Sequence, residues 1–390
     1  MQQVLTIVGS SARAAAVSAA RSGFSVHAAD LFADIDLCRI AQTTQIDDYP
    51  AGLGDIIRGP QPGAWLYTGA IENYPDLVDA WARHRPLWGN AGDVLRTIRN
   101  PELVAAALDR HGLHAPLVTT EVNRVPTDGT WLAKPLTSAG GLHIAPWRGR
   151  QSADLQPSWG PPDRWYFQQR VDGKSYSATF LSAAGQAVLV GVTEQLIGLG
   201  WTGRAGADFR YCGSVGPVVL SRSAEKELMR IGELLAHEFH LIGLVGVDFV
   251  LNSAGVWPVE VNPRLTASVE VIERACGLHA IRMHAAACEQ RRLPSTDWNA
   301  FGKVAGKAIV FAPTHVQFPQ NWATAMDAAD EIRFSELADI PSPGTPIDAG
   351  WPIATVLAEG TSVEAVRTKL RLRTGRLLQA CHPVVKKNDG

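Results

Sequence analysis

Asp248, Glu260, Asn262 and Arg264 lie close together, in the runs Gly246-Val247-Asp248-Phe249-Val250-Leu251 and Trp257-Pro258-Val259-Glu260-Val261-Asn262-Pro263-Arg264. Two carboxylates and an amide oxygen are the hard ligands that magnesium takes in octahedral geometry, and phosphate oxygens commonly fill the positions a protein leaves open. Arg264 adds a fixed positive charge beside them, suited to phosphate or to negative charge developing in a reaction. Together these residues read as a magnesium-nucleotide site. The competing reading is a surface hairpin with solvated acids, but strand positions that alternate with a core rarely carry Asp, Glu and Asn together.

A β-hairpin must position them. Apolar residues alternate on both sides of the turn Asn252-Ser253-Ala254-Gly255. Glu260 and Asn262, two apart, therefore share a face, and Asp248 on the first strand can face them.

Three further segments carry chemistry. Trp131-Leu132-Ala133-Lys134-Pro135 reads as a strand entering the small loop Leu136-Thr137-Ser138-Ala139-Gly140-Gly141, after which Leu142-His143-Ile144 resumes a strand. A lysine ahead of such a loop can hold phosphates between an ammonium and backbone N–H groups, although no GxxxxGK[ST] motif occurs in the chain. Trp165 to Gly173 reads as a strand leaving through a turn before a strand from Ser175 to Leu181. A linker between two lobes of a cleft has this form, with Gln168, Gln169 or Asp172 in reach of a base or ribose; a plain strand end has it too. Gly198 to Gly216 reads as one long loop, the kind of connection that is usually functional or disordered. Its Arg204, Arg210 and Tyr211 are candidates for substrate recognition, and its Cys212 has no His/Asn partnership that would make it a nucleophile.

The first 95 residues alternate strands (Val4 to Val8, Phe24 to Ala28, Trp65 to Thr68, Pro86 to Trp88) with helices (Ser11 to Ser22, Asp76 to His84), the opening of a parallel α/β sheet. Gly9-Ser10-Ser11 with Asp30 downstream imitates half of a dinucleotide fingerprint but lacks its glycine pattern, which argues against an NAD-dependent dehydrogenase. Pro101 to His111 and Ser223 to His240 read as helices, and His237 and His240 do not form HExxH. Residues 301 to 390 form a last unit, with strands at Lys307 to Phe311 and Trp351 to Leu357 and a helix from Ser362 to Leu372.

At 390 residues the chain is long enough for two to three domains. A net charge of −2 and the lack of any Lys/Arg block give no reason to expect nucleic acid. Five scattered cysteines form no zinc-spaced set and fit a reduced cytoplasmic compartment. No apolar run reaches the length of a membrane span, so no membrane partner is expected.

Lys134 with its Ser/Gly loop, the Gln168 to Gly173 linker, Asp248 and Glu260-Val261-Asn262-Pro263-Arg264 resemble, in order and spacing, the ATP-grasp superfamily. The resemblance covers nearly the whole chain. It implies an α/β (α+β) ATP-grasp fold: a Rossmann-like preATP-grasp domain over 1–95, an ATP-grasp domain over 96–300 in two lobes hinged near 168–173, and a small α+β domain over 301–390 similar to the C-terminal domain of biotin carboxylase. It further implies ATP with magnesium, or manganese in its place, held at Asp248, Glu260 and Asn262. Lys134 would contact phosphates, Ser138, Ala139, Gly140 and Gly141 would form a mobile lid, and Gln168, Gln169, Arg170, Val171 and Asp172 would border the adenine. Arg264, with Lys134, would be catalytic.

The chain departs from the family at Arg96, Arg99, Asn100 and Pro101, where many members carry an Asp-Lys pair. Arg99 is the candidate to stand in for the missing phosphate lysine. The implied activity is a carbon–nitrogen ligase that activates a small carboxylic acid as an acyl phosphate and passes it to an amine, in a homodimer. A one-carbon-carrying cofactor is the implied biosynthetic setting. A carboxylase of the biotin-carboxylase type and a catalytically silent nucleotide-binding protein are the alternatives.

Overall fold

The computed structural model describes residues 3–149, 164–203, 209–294, 302–320 and 336–383. Chain order begins β1 (Val4–Val8), α1 (Arg13–Arg21), β2 (Ser25–Asp30), α2 (Ile35–Cys38), β3 (Gln42–Gln45), α3 (Leu53–Arg58), β4 (Ala64–Tyr67), α4 (Pro75–Ala82) and α5 (Gly92–Ile98). The four strands form a parallel sheet in the order β3-β2-β1-β4. Pro86 to Trp88 adds only a single parallel bridge, Leu87 to Trp65, instead of the expected strand.

Next come α6 (Pro101–Arg110), β5 (Val118–Thr119), β6 (Trp131–Pro135), β7 (Ala145–Pro146) and β8 (Trp165–Gln169). The Asn100 side chain caps α6 by accepting from the Glu102 and Leu103 amides, and Pro101 occupies the first turn, where no N–H is needed. These short strands form a small antiparallel sheet, β5-β8-β6-β7, filled by Ala133, Trp147, Trp165 and Phe167.

The largest layer follows from β9 (Lys174–Ala183), β10 (Gln186–Ile197), β11 (Tyr211–Gly216), α7 (Arg222–Glu238), β12 (Gly243–Asn252), β13 (Gly255–Asn262), α8 (Ala267–Cys276) and α9 (Ala280–Gln290). The chain ends through β14 (Val304–Phe311), β15 (Val316–Gln317), β16 (Leu337–Ala338), β17 (Pro346–Ile347), β18 (Pro352–Gly360), α10 (Val363–Ala380) and β19 (His382–Pro383). Eight strands share one sheet, β13-β12-β9-β10-β11-β14-β18-β16, so it runs without a break past the expected boundary at residues 300 and 301. A three-stranded sheet, β17-β15-β19, caps the last unit.

Alternation along the central strands builds two cores. Phe180, Val245, Val247 and Phe249 face α7 with Leu228, Ile231 and Leu235, whereas Leu181 and Leu244 face α8 and α9 and, through Val269, Ile272 and Ile281, the Ala-rich face of α1. The first unit is thereby welded to the large sheet by apolar burial.

Two further segments differ from expectation. Gly198 to Gly216 is not one loop: Gly200–Thr202 is a 3-10 turn, and Tyr211–Gly216 is a central strand between β10 and β14. The strand expected at Leu142 begins only at Ala145, because Gly140, Gly141 and His143 all take positive φ and make a turn. No helix among the described residues is long and apolar enough to cross a membrane.

Charge is buried where the first and last units meet. The Asp34 carboxyl, 5% exposed, is pushed up to about 8, first by burial and then by Asp339, Asp36 and Asp30, with Arg13 offsetting only part. A carboxyl raised in the folded state loses stability as pH climbs from its unfolded value to that folded value. Asp34→Asn should therefore melt like the parent near pH 4 and become more stable by on the order of 2 kcal/mol above pH 8. Thermal melts across that range check it, and a pH-independent difference would refute it.

Candidate functional site

In the β12–β13 hairpin Asp248 pairs directly with Glu260, and Asn262 pairs with Gly246. A bulge beyond Asp248 shifts the register toward Phe249. The structure thus brings Asp248, Glu260 and Asn262 onto one wall of a cleft of about 580 Å³. Lys134, Gly140, Gly141 and the Gln168 to Gly173 link line the same cleft, as do Arg264, Ser10 and Gly69.

The wall is tied together by hydrogen bonds. Asn262 Nδ2 donates to Asp248 Oδ2 at 3.2 Å, and Arg264 donates through Nη2 to Asn262 Oδ1 at 3.2 Å. Arg99 Nη1 donates to Glu260 Oε1 at 2.8 Å and its Nη2 to Asn73 Oδ1 at 3.1 Å. Lys134 Nζ donates to Gln168 Oε1 at 2.8 Å, and the Gln168 amide donates to the Val259 carbonyl at 3.2 Å. The Gln168 side chain therefore holds the lysine, while Gln169 to Asp172 carry the link into β9 with Asp172 open to solvent beside Arg170.

Opposed carboxylates titrate apart. Burial, then the charge of Glu260, pushes Asp248 up to about 6, against hydrogen bonds from Ser177 and Gln195. Burial would raise Glu260 as well, but Arg99, Lys134 and Arg264 outweigh it and hold that carboxyl below its usual range. Glu260 is thus the permanent anion of the pair.

Among the described residues no group of three or more His, Cys, Asp or Glu is placed to hold a metal. Asp248, Glu260 and Asn262 provide two carboxylates and one amide oxygen. That set suits a cation whose remaining positions go to phosphate and water. Two buried polar atoms bordering the site, Thr266 Oγ1 and Arg99 Nε, have no partner among the described residues, as expected of groups that meet a ligand.

The loop from Ser138 to Gly141 rests against the start of β11, where the Tyr211 amide donates to the Gly140 carbonyl at 3.0 Å. Only glycine fits at 141: φ is +71° and a Cβ would lie 1.8 Å from the Phe209 carbonyl oxygen. Of the expected substrate residues, Tyr211 lines the cleft with its hydroxyl 2.8 Å from Ser214 Oγ. Arg210 packs over the Phe311 ring at 4.9 Å and donates to the Gly350 carbonyl at 3.3 Å, so it points toward the last unit and not into the cleft. Arg204 lies outside the described residues.

Glu72 was not legible as a site residue. Its buried carboxylate accepts from Arg264 Nε at 2.6 Å, and its second oxygen is buried with no partner among the described residues. An acid 192 positions from the arginine it orients leaves no local signal. Ser10 and Gly69, at the carboxyl ends of β1 and β4, extend the cleft into the first unit, the usual place for ligands on a parallel sheet.

Residues 100–268 match the model of the ATP-grasp domain. An uncharacterised protein of Methanocaldococcus jannaschii, MJ0776, is 25% identical over 192 residues, 49% of this chain and 42% of that protein, so the chain aligns with less than half of that relative's length. The biotin carboxylase domain of 2-oxoglutarate carboxylase from Hydrogenobacter thermophilus, solved with MgADP, ADP and bicarbonate, superposes with a TM-score of 0.70 at 12% identity over 97% of this chain and 90% of that one. An L-amino acid ligase from Bacillus licheniformis does so with a TM-score of 0.70 at 13% identity over 99% of both chains. Lys134, the Gly140–Gly141 turn and the β12–β13 hairpin all lie within residues 100–268, so the segment that lines the cleft is the segment that matches the ATP-grasp domain.

Proposed function

We propose that the chain is an ATP- and magnesium-dependent ligase that activates a carboxylic acid and joins it to an amine. The observation that carries this reading is the convergence of Asp248, Glu260 and Asn262 with Lys134 and Arg264 on a single cleft. Bound ATP with magnesium would supply the transferable phosphoryl group. Asp248, Glu260 and Asn262 would hold the metal. Lys134 and Arg264 place fixed positive charge where charge must be neutralised, which phosphoryl transfer needs more than it needs a protein nucleophile. Glu72 fixes the direction of the Arg264 guanidinium. Arg99 would take the place of the absent lysine, and its present partners are Glu260 and Asn73. The Gly140–Gly141 turn, which lines the cleft, would shield a reactive acyl group from water.

The acid and amine would meet at the Ser10, Gly69 and Ser268 end, away from the Gln168 to Gly173 link. The likeness to carboligase-type members of one-carbon metabolism puts the acids and amines of such cofactors first in a substrate screen. ADP release on mixing enzyme, magnesium and ATP with acid and amine pairs tests the reading, with bicarbonate among the acids. Release that needs both partners supports a ligase. Release with bicarbonate alone would make the chain a carboxylase, and tight nucleotide binding without any release would make it a silent binder.

The protonation state of Asp248 gives a second test. A metal ligand must be ionised, and this carboxyl is pushed up to about 6. Magnesium-dependent ATP binding should therefore be full at about pH 7.5 and weaken toward about tenfold per unit below pH 6. Calorimetry across this range reads it, and a flat profile would remove Asp248 from the metal site.

A further inference from the structure

A second depression, of about 250 Å³, adjoins the cleft and shares Gly173, Ser175, Gln195 and Ile197 with it. The beginning of β9, the end of β10, the 3-10 turn Gly200–Thr202 and one face of α10 wall it. Three cations line this groove, Lys174, Arg367 and Arg371, against one carboxylate, Glu194. Glu194, 5% exposed, is already engaged by Lys174 Nζ at 3.0 Å and by Arg367. Its single charge leaves the groove with an excess of two positive charges.

Arg371 lies over the Trp201 ring, 5.8 Å from its centre, which fixes a guanidinium at the mouth of the groove. Arg367 and Trp201 also line the groove, and Arg367 Nε and Trp201 Nε1 are buried with no acceptor among the described residues. A buried donor left unpaired is costly, so two of them beside excess positive charge call for an external acceptor. The acceptor that satisfies both terms is an oxyanion: it brings negative charge and several lone pairs to a forked donor set.

We propose that this groove is a binding site for an oxyanion group, carboxylate or phosphate, separate from the nucleotide-type cleft that it adjoins. The assignment does not depend on the ligase reading, because it rests on residues outside the Asp248, Glu260 and Arg264 set.

Calorimetric titration of the full chain with inorganic phosphate, and in a second arm with tricarballylate as a tricarboxylate, tests it. Saturable binding of one probe is expected, and the better probe identifies the group. Arg371→Ala should weaken that binding about tenfold or more, Arg371→Lys should keep part of it, and Trp201→Phe should weaken it by removing one donor while keeping the ring. Lys134→Ala should leave it unchanged. Arg371 is exposed on its helix, and an unchanged melting temperature distinguishes lost binding from lost fold. The proposal is overturned if neither probe saturates, if Arg371→Ala binds like the parent, or if Lys134→Ala abolishes binding, which would put the anion in the main cleft.

Discussion

Glu260→Gln is expected to weaken magnesium-dependent ATP binding by about 100-fold or more, and turnover with it. The substitution keeps the shape and removes one charge at the point where three interactions meet. Glu260 is the anion of the proposed metal wall that stays ionised, because Arg99, Lys134 and Arg264 hold its carboxyl below the usual range. Glutamine offers a neutral amide in its place, a poor ligand for a hard cation. Arg99, which donates to Glu260 at 2.8 Å, would keep only Asn73 as a partner. Asp248, paired in register with Glu260, would lose the like charge that helps push it up to about 6, so the pH midpoint of residual binding should move to lower values. Calorimetry with and without magnesium reads both effects. Parent-like affinity in the variant would place the metal elsewhere.

That hairpin was legible because its information is local. Residues two apart on a strand share a face, and the turn at Ser253 and Ala254 sets which strand opposes which. Lys134 ahead of its glycine turn was legible for the same reason. The partners of these residues were not: Arg99 with Glu260 spans 161 positions and Glu72 with Arg264 spans 192.

β11 failed for a different reason. Tyr211-Cys212-Gly213-Ser214-Val215-Gly216 has the composition of a loop, yet tertiary crowding selects its small residues. A Cβ at Gly213 would lie 2.0 Å from the Lys307 carbonyl oxygen on β14, and φ there is +139°. The strand is made by its neighbours, which a reading of intrinsic propensity misses. α10 runs past the expected end at Leu372 to Ala380, because Thr374 and Leu377 continue the buried stripe begun by Val366 and Leu370.

Arg13→Leu should cost about 3–5 kcal/mol and lower the melting temperature by on the order of 5–10 °C. Arg13 is 2% exposed on α1 and is the shared cation of carboxylates from all three expected units. It donates to Glu270 of α8, to Asp339 at 2.9 and 3.3 Å, and lies 3.6 Å from Asp36. Lys307 on β14 also donates to Glu270, at 2.6 Å. Burial alone would raise Asp339 and Glu270; Arg13, then Lys307, holds both below their usual range. Without the guanidinium, buried Glu270 and half-buried Asp36 and Asp339 are left with one ammonium, and removing one partner of such a network costs far more than replacing the whole network by apolar groups. Arg13→Lys should fall between, since one ammonium cannot satisfy three carboxylates at once. Arg13 does not line the cleft, so nucleotide affinity well below the melting temperature should stay near the parent value. A melting temperature unchanged in Arg13→Leu would mean that water already screens the network, and the joint between the units would then rest on the apolar contacts of α1 with α8 and α9 alone.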